Sequence, residues 1–208
     1  MAVALLMLLA AVNDASSEAK SALTCPQGRP QGLVADAQAQ VYRGRGTITD
    51  HCEMPGSAKV FGRLRHRRAY VLGPAPWGTP EGVGGVSDET LAGPIVAYEQ
   101  YRNMFAPHAP SRLIMVRDLR TGRLLHSAPT ATPVGPVGVA AIVVKSDGAV
   151  AWIVDNGTYT ERYQVHAIDE NGGRLLASGS NIEPRSLALG GNELYWTEEG
   201  RPTSASLN

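Results

Sequence analysis

Cysteine, aromatic residues and net charge are all scarce in this chain, and each shortage removes a class of explanation. Cys25 and Cys52 are the only two cysteines, and neither has another Cys or a His at zinc-ligand spacing, so no metal site is expected. Nineteen Lys and Arg balance nineteen Asp and Glu. A formal charge of zero gives no global attraction to nucleic acid or to an anionic membrane, and no nucleic-acid partner is expected. The longest apolar run, Ala2 to Val12, has 11 residues. That is too short to cross a bilayer, so no stable membrane insertion is expected. After this run, no segment keeps a helical apolar period over ten residues.

Familiar catalytic patterns are missing too. None of His51, His66, His108, His126 and His166 lies three to five residues from another. Ser127 and Ser178 stand outside any Gly-x-Ser-x-Gly context. Gly82-Val83-Gly84-Gly85 precedes no long helix, which argues against a phosphate cradle. Asp147, Asp155 and Glu161 lack the EF-hand ligand pattern. No cofactor is implied.

What the chain has in quantity is turn chemistry: 23 glycines and 14 prolines beside short apolar runs. That composition favours many short strands, hence an all-β fold. Residues 1–20 read as a signal-peptide-like segment, although no Lys or Arg precedes the apolar run. The body is then 21–208, and the expected location is secreted, periplasmic or at the cell surface. Export makes a Cys25–Cys52 disulfide chemically allowed. Closing a loop of that size stabilises by roughly 3 kcal/mol in the chain-entropy model.

The body repeats. Asp118, a turn ending at Gly122, and Arg123-Leu124-Leu125 match Asp169, a turn ending at Gly173, and Arg174-Leu175-Leu176, 51 residues later. Val150-Ala151-Trp152 matches Leu194-Tyr195-Trp196, 44 residues later. Leu64 to Tyr70 is a degenerate copy of the hairpin at Leu119 to Leu125. The aromatic landmarks fall at Tyr42, Tyr98, Trp152 and Trp196. Strands count out in units of four, at roughly 45 to 55 residues per unit, the sequence mark of propeller blades. Each such unit is too small to bury both faces alone, so the landmark aromatics are expected between units. Asp118 and Asp169 are expected to accept backbone N–H groups within their own turns.

On these hairpins the chain resembles β-propeller repeat proteins of the secreted bacterial kind, TolB-like and YVTN-type, from about Leu33 onward. The resemblance implies a small propeller, or propeller-like stack, of about four antiparallel blades. The fourth blade is incomplete, or is closed by a strand from Ala19 to Thr24. An open stack or a piece of a larger propeller fits the same count. Propellers host binding, scaffolding and enzymatic roles alike, so the fold alone assigns none.

The function expected is a non-catalytic binding domain for a protein, glycan or surface ligand. Its candidate loops are 74–85, 101–110 and 128–138. The alternatives are a metal-assisted hydrolase or lyase on a propeller scaffold, and a structural fragment without separate activity. Candidate ligand-binding residues are Trp77, Phe105 and His108 in the loops, together with Arg65, Arg67 and Arg68. Those three arginines, with Arg63 and His66, form the one basic cluster in the chain. It reads either as an anion-binding patch or as a solvated hairpin tip. The loop aromatics read either as anchors for a partner or as plugs for the mouth of the structure.

Overall fold

Turns rich in Gly and Asp cut the chain into strands of 3 to 11 residues, each paired with the next. The computed structural model describes residues 30–45, 58–80, 82–104, 111–130, 138–157, 160 and 162–208. The first sheet contains β1 (Gln31–Ala35), β2 (Ala39–Arg45), β3 (Ala58–Leu64) and β4 (Ala69–Pro74). The second contains β5 (Trp77–Thr79), β6 (Gly82–Ala92), β7 (Ile95–Met104), β8 (Ser111–Asp118) and β9 (Leu124–Pro129). The third contains β10 (Gly138–Val144), β11 (Val150–Asp155), β12 (Tyr163–Asp169) and β13 (Gly172–Gly179). The fourth contains β14 (Ala188–Gly190), β15 (Glu193–Glu198) and β16 (Arg201–Ser206). Strand order in every sheet follows chain order, and all pairs are antiparallel. The fold is all-β, with four meander sheets and no helix among the described residues, an arrangement compatible with a propeller-like fold.

Successive side chains on a strand point to opposite faces, so one strand can serve two interfaces. On β7, Val96 and Tyr98 join a core with Val41, Val60 and Leu72 of the first sheet. Ile95 and Ala97, between them, join Val150, Trp152 and Val154 of the third. On β11 the intervening Ala149, Ala151 and Ile153 pack with Leu194, Trp196 and Leu207 at the other end of the stack. Three apolar layers therefore lie between consecutive sheets. No buried core joins the first and fourth sheets among the described residues. Burying one large apolar side chain stabilises by roughly 1.5–3 kcal/mol, and these layers hold the stack together.

Tyr98, Trp152 and Trp196 each reach back to the preceding sheet. Tyr98 donates its hydroxyl hydrogen to the carbonyl of Leu72 on β4, 3.3 Å away. Trp152 donates its indole N–H to the carbonyl of Thr130, just past β9, at 2.7 Å. Three of the four landmark aromatics thus sit between sheets; Tyr42, on the outer face of the first sheet, does not among the described residues.

The structure corrects the sequence reading at 74–85. That Gly- and Pro-rich stretch is not one loop: it contains β5 and begins β6, so the second sheet has five strands. Gly84 does not interrupt pairing because Trp77 lies across it. A Cβ there would stand 3.1 Å from the indole, so the missing side chain makes room for a large one. Likewise residues 101–104 belong to β7, 128–129 to β9 and 138 to β10, which shortens the other two candidate loops. The signal-like segment, Cys25, Cys52 and the proposed closing strand Ala19 to Thr24 lie outside the described residues.

Aspartates shape the turns as anticipated. Asp118 accepts the Arg120 N–H at 2.7 Å and Asp169 the Asn171 N–H at 2.9 Å. Gly122 adopts a φ of 75° under the Tyr70 ring, a conformation and a closeness that favour glycine. Turns also tie sheets to one another. Asp36 of the first sheet accepts the Gly93 N–H of the second at 2.8 Å. The strongest such tie surrounds Asp169, whose side chain is fully enclosed. Arg174 reaches it at 2.6 and 2.8 Å, and the Asn208 N–H at 2.9 Å. Arg174 also donates to the Ser206 carbonyl at 2.7 Å, and Lys145 to the Leu207 carbonyl at 2.9 Å, so the third sheet clamps the C-terminal residues. Arg174, with help from these backbone N–H groups, holds the Asp169 carboxyl well below the usual carboxylate range despite its burial.

Asp169→Asn should lower unfolding free energy by about 2–3 kcal/mol, because it removes a fully enclosed carboxylate from a half-buried Arg174 and two backbone N–H groups. Asp147→Asn, whose own side chain is mostly exposed, should cost about 1 kcal/mol or less. Urea titrations of both variants check the contrast; equal losses would remove the clamp from this account.

Candidate functional site

In the first and third sheets, and on either side of β7 in the second, short turns fall at one end and longer connections at the other. Register brings the strand ends that flank 105–110 and 131–137 to one end of the second sheet. Ser111 pairs with Arg102, Leu113 pairs with Pro129, and the Thr130 N–H donates to the Arg112 carbonyl at 3.0 Å. The start of β6 joins this end, since Gly82 pairs with Met104.

Beneath these connections β7 changes character. Ile95 and Ala97 face the third sheet and are apolar, but Glu99 and Tyr101 continue the same face at the loop-bearing end. Glu99 is 2% exposed. Arg112, opposite Tyr101 on β8, holds both Glu99 carboxylate oxygens through Nη1 at 2.9 Å each. Ser87 donates its hydroxyl hydrogen to Oε2 at 3.2 Å. The Arg112 guanidinium also stands over the Tyr101 ring, 5.0 Å from its centre. Gly138, the first residue of β10, brings its backbone against Arg112; a Cβ there would lie 3.4 Å from Nη1. Burial pushes the Glu99 carboxyl up, Arg112 pulls it down, and the first effect wins. Burial likewise raises Glu89, with repulsion from Asp88 beside it. Both lie at the β6 bulge, where Asp88 has a φ of 56°.

This cluster is a rigid, nearly neutral floor, with a guanidinium still one-fifth exposed. It can orient polar groups of a ligand. No three His, Cys, Asp or Glu side chains converge as metal ligands among the described residues.

Next to it in the same interface, His166 stacks on Trp152 with ring centres 5.2 Å apart and planes at 9°. Its Nε2 lies 3.0 Å from the Gln164 amide oxygen. Burial lowers its pKa to about 4, so the ring is neutral at physiological pH and fills space.

The residues singled out from the sequence do not form one site. Trp77 lies half-buried on β5 at the loop-bearing end. It pairs with Gly84, one register step from the Gly85–Tyr101–Arg112 row, and so faces the opposite side of the sheet. Arg65, Arg67 and Arg68 are exposed at the β3–β4 turn, at the far end. There the Arg65 N–H donates to the Gln38 carbonyl at 2.9 Å. Arg65 and Arg67 line a groove of about 410 Å³ with Gln38, Pro94 and Arg120. Arg68 stands 6.0 Å from the centre of the Tyr70 ring. Phe105 and His108 lie outside the described residues.

Glu99, Arg112 and Ser87 were missed, yet a signal existed. Glu99 follows the landmark Tyr98, and the residues after Trp152 and Trp196 are Ile153 and Thr197. A carboxylate in that column marks a polar intrusion into a core position.

Glu99→Leu should cost about 3 kcal/mol by stranding Arg112, and Arg112→Leu added to it should recover most of that loss, as two apolar partners replace an ion pair. A double-mutant cycle in urea reads this directly. For His166, the unfolded ring takes up a proton below its ordinary pKa of 6.5, while the folded one resists until about 4. Stability should therefore fall by roughly 2 kcal/mol as pH drops through that window, and His166→Gln should flatten the decline. Denaturant melts at closely spaced pH values would show whether it does. No protein-family model matches the chain, and no curated protein matches it in sequence.

Proposed function

We propose that this chain is a secreted, non-catalytic binding domain on a four-bladed propeller-like scaffold. It takes its partner, a protein or glycan, at the loop-bearing end. Each sheet is one blade, and the landmark aromatic of each second strand is the packing element of a blade repeat. Export rests on the apolar run at Ala2 to Val12.

The observation that carries the binding role is the way the connections are rooted. Arg112 fixes Glu99 with its side chain and Thr130 with its backbone, while the Thr130 carbonyl receives Trp152. One residue therefore links the strand ends that flank 105–110 and 131–137. Strand ends tied by hydrogen bonds suit recognition, because less entropy is lost when they bind. Trp77 offers an aromatic anchor at the same end, of the kind that dominates binding energy.

The test compares three purified, folded proteins immobilised over a glycan array and over culture-fluid and envelope extracts: wild type, Trp77→Ala, and Arg65→Ala with Arg67→Ala. The expected result is a retained partner that Trp77→Ala weakens by about tenfold or more, while the double arginine variant leaves it intact. The reverse pattern would move the site to the turn-bearing end.

A further inference from the structure

We propose that the outer face of the first sheet, open among the described residues, binds the outer face of the fourth sheet, likewise open among them, of a second copy of this chain. The proposal rests on the blade reading of the sheets, not on the loop-bearing end, and stands or falls separately from ligand binding.

The argument is positional. Tyr98, Trp152 and Trp196 stand at matching positions of β7, β11 and β15, and each is buried against the sheet before it, at 0%, 2% and 3% exposure. Tyr42 holds that place on β2. Its neighbour Val41 faces the second sheet, so Tyr42 faces the other way, where the chain places no earlier blade among the described residues. The face around it is apolar: Tyr42 stacks on Phe61 at 5.4 Å, and Leu33 and Val71 are 36% and 48% exposed. Arg63 stands over the Tyr42 ring at 5.2 Å. A groove of about 530 Å³ crosses this face, lined by Gly32, Leu33, Ala35, Gln40 and Tyr42 among others.

The fourth sheet has the converse deficit. Val41, Ala97 and Ala151, the residues just before each landmark, are completely buried against the next sheet. Tyr195 is their counterpart and is 42% exposed. Pairing puts Ala188 and Ser204 beside Tyr195 on that face. Glu193 shares the face, and the first sheet presents Lys59 and Arg63 on its own. One end of the stack thus has an inter-blade aromatic with no blade to receive it. The other has a receiving face, charged oppositely, with no aromatic from a next blade. A projecting tyrosine and an apolar groove complete the fit.

Such a contact is heterologous. Two copies close by making it twice, first sheet to fourth and fourth to first. That geometry gives a sharp test on the full chain by sedimentation velocity, with circular dichroism and melting as folding checks. Wild type should be a dimer. Val71→Glu and Tyr195→Lys, both at exposed positions, should each weaken association by at least about tenfold. Mixed together they should associate again, because one of the two contacts in the mixed dimer is wholly wild type. A wild type that stays monomeric to about 100 μM overturns the proposal. If Val71→Glu then also lowers the melting temperature, the face is covered within the chain. An undisturbed Tyr195→Lys dimer overturns it as well, by locating the interface elsewhere.

Discussion

The two middle sheets are each covered on both faces, and the interaction they depend on is apolar burial shared out by the alternation of side chains along a strand. On β7 and β11, odd positions serve the following sheet and even positions the preceding one. Val96 and Tyr98 pack backward, Ile95 and Ala97 forward. The same division recurs on β11. Because one strand contributes to two cores, a slip of one residue in its register would exchange both sets of side chains at once. The large aromatic on one side and the small residue on the other make that exchange costly, since Tyr98 cannot occupy the space of Ala97.

Against this background the Glu99–Arg112 pair is an exception placed where an exception is tolerable. Deep in the interface an ion pair would have to offset two desolvation penalties. At the loop-bearing end Arg112 keeps part of its guanidinium in contact with solvent, and Ser87 and the Tyr101 ring supply the remaining partners. The pair then does what an apolar contact does not. Its directional hydrogen bonds tie β7 to β8, and the Arg112 carbonyl, accepting the Thr130 N–H, adds the end of β9. Arg112 is thus both a lining of the core and the link between three strand ends.

How much of this was legible in the sequence depended on range. The Asp-turn-Arg-Leu-Leu hairpins were legible because an aspartate and the N–H groups it accepts lie within a few residues of each other. The landmark aromatics were legible because the blade repeat brings the same residue class back to Tyr42, Tyr98, Trp152 and Trp196. The strand pairing of 77–85 was not, because its cause is distant in sequence. Gly82 to Gly85 carry little strand propensity of their own and are ordered by β7 and by Trp77 lying over them. That Trp77 and the basic cluster lie at opposite ends of the sheets was not legible for a similar reason. Which end of a sheet a residue occupies depends on the number of strand reversals before it, and one uncounted strand changes the picture. Glu99 looked unremarkable because its partner Arg112 is on another strand, and only the column of residues after each landmark exposes it.

The three interfaces are not equally furnished. In the first two, the landmark aromatic completes its packing with a hydrogen bond to a carbonyl at the outer edge of the preceding sheet. In the third, the Trp196 indole N–H has no protein acceptor among the described residues, and Ser178 on the facing sheet is likewise buried without one. An unmet buried polar group costs about 1–3 kcal/mol, and the other interfaces carry such groups too, at Arg117 Nε and Thr130 Oγ1. What sets the third interface apart is its polar clamp: the Asp169–Arg174 pair reaches Ser206 and Asn208, as Lys145 reaches Leu207. The fourth sheet is therefore held at its turn-bearing rim as well as through its core.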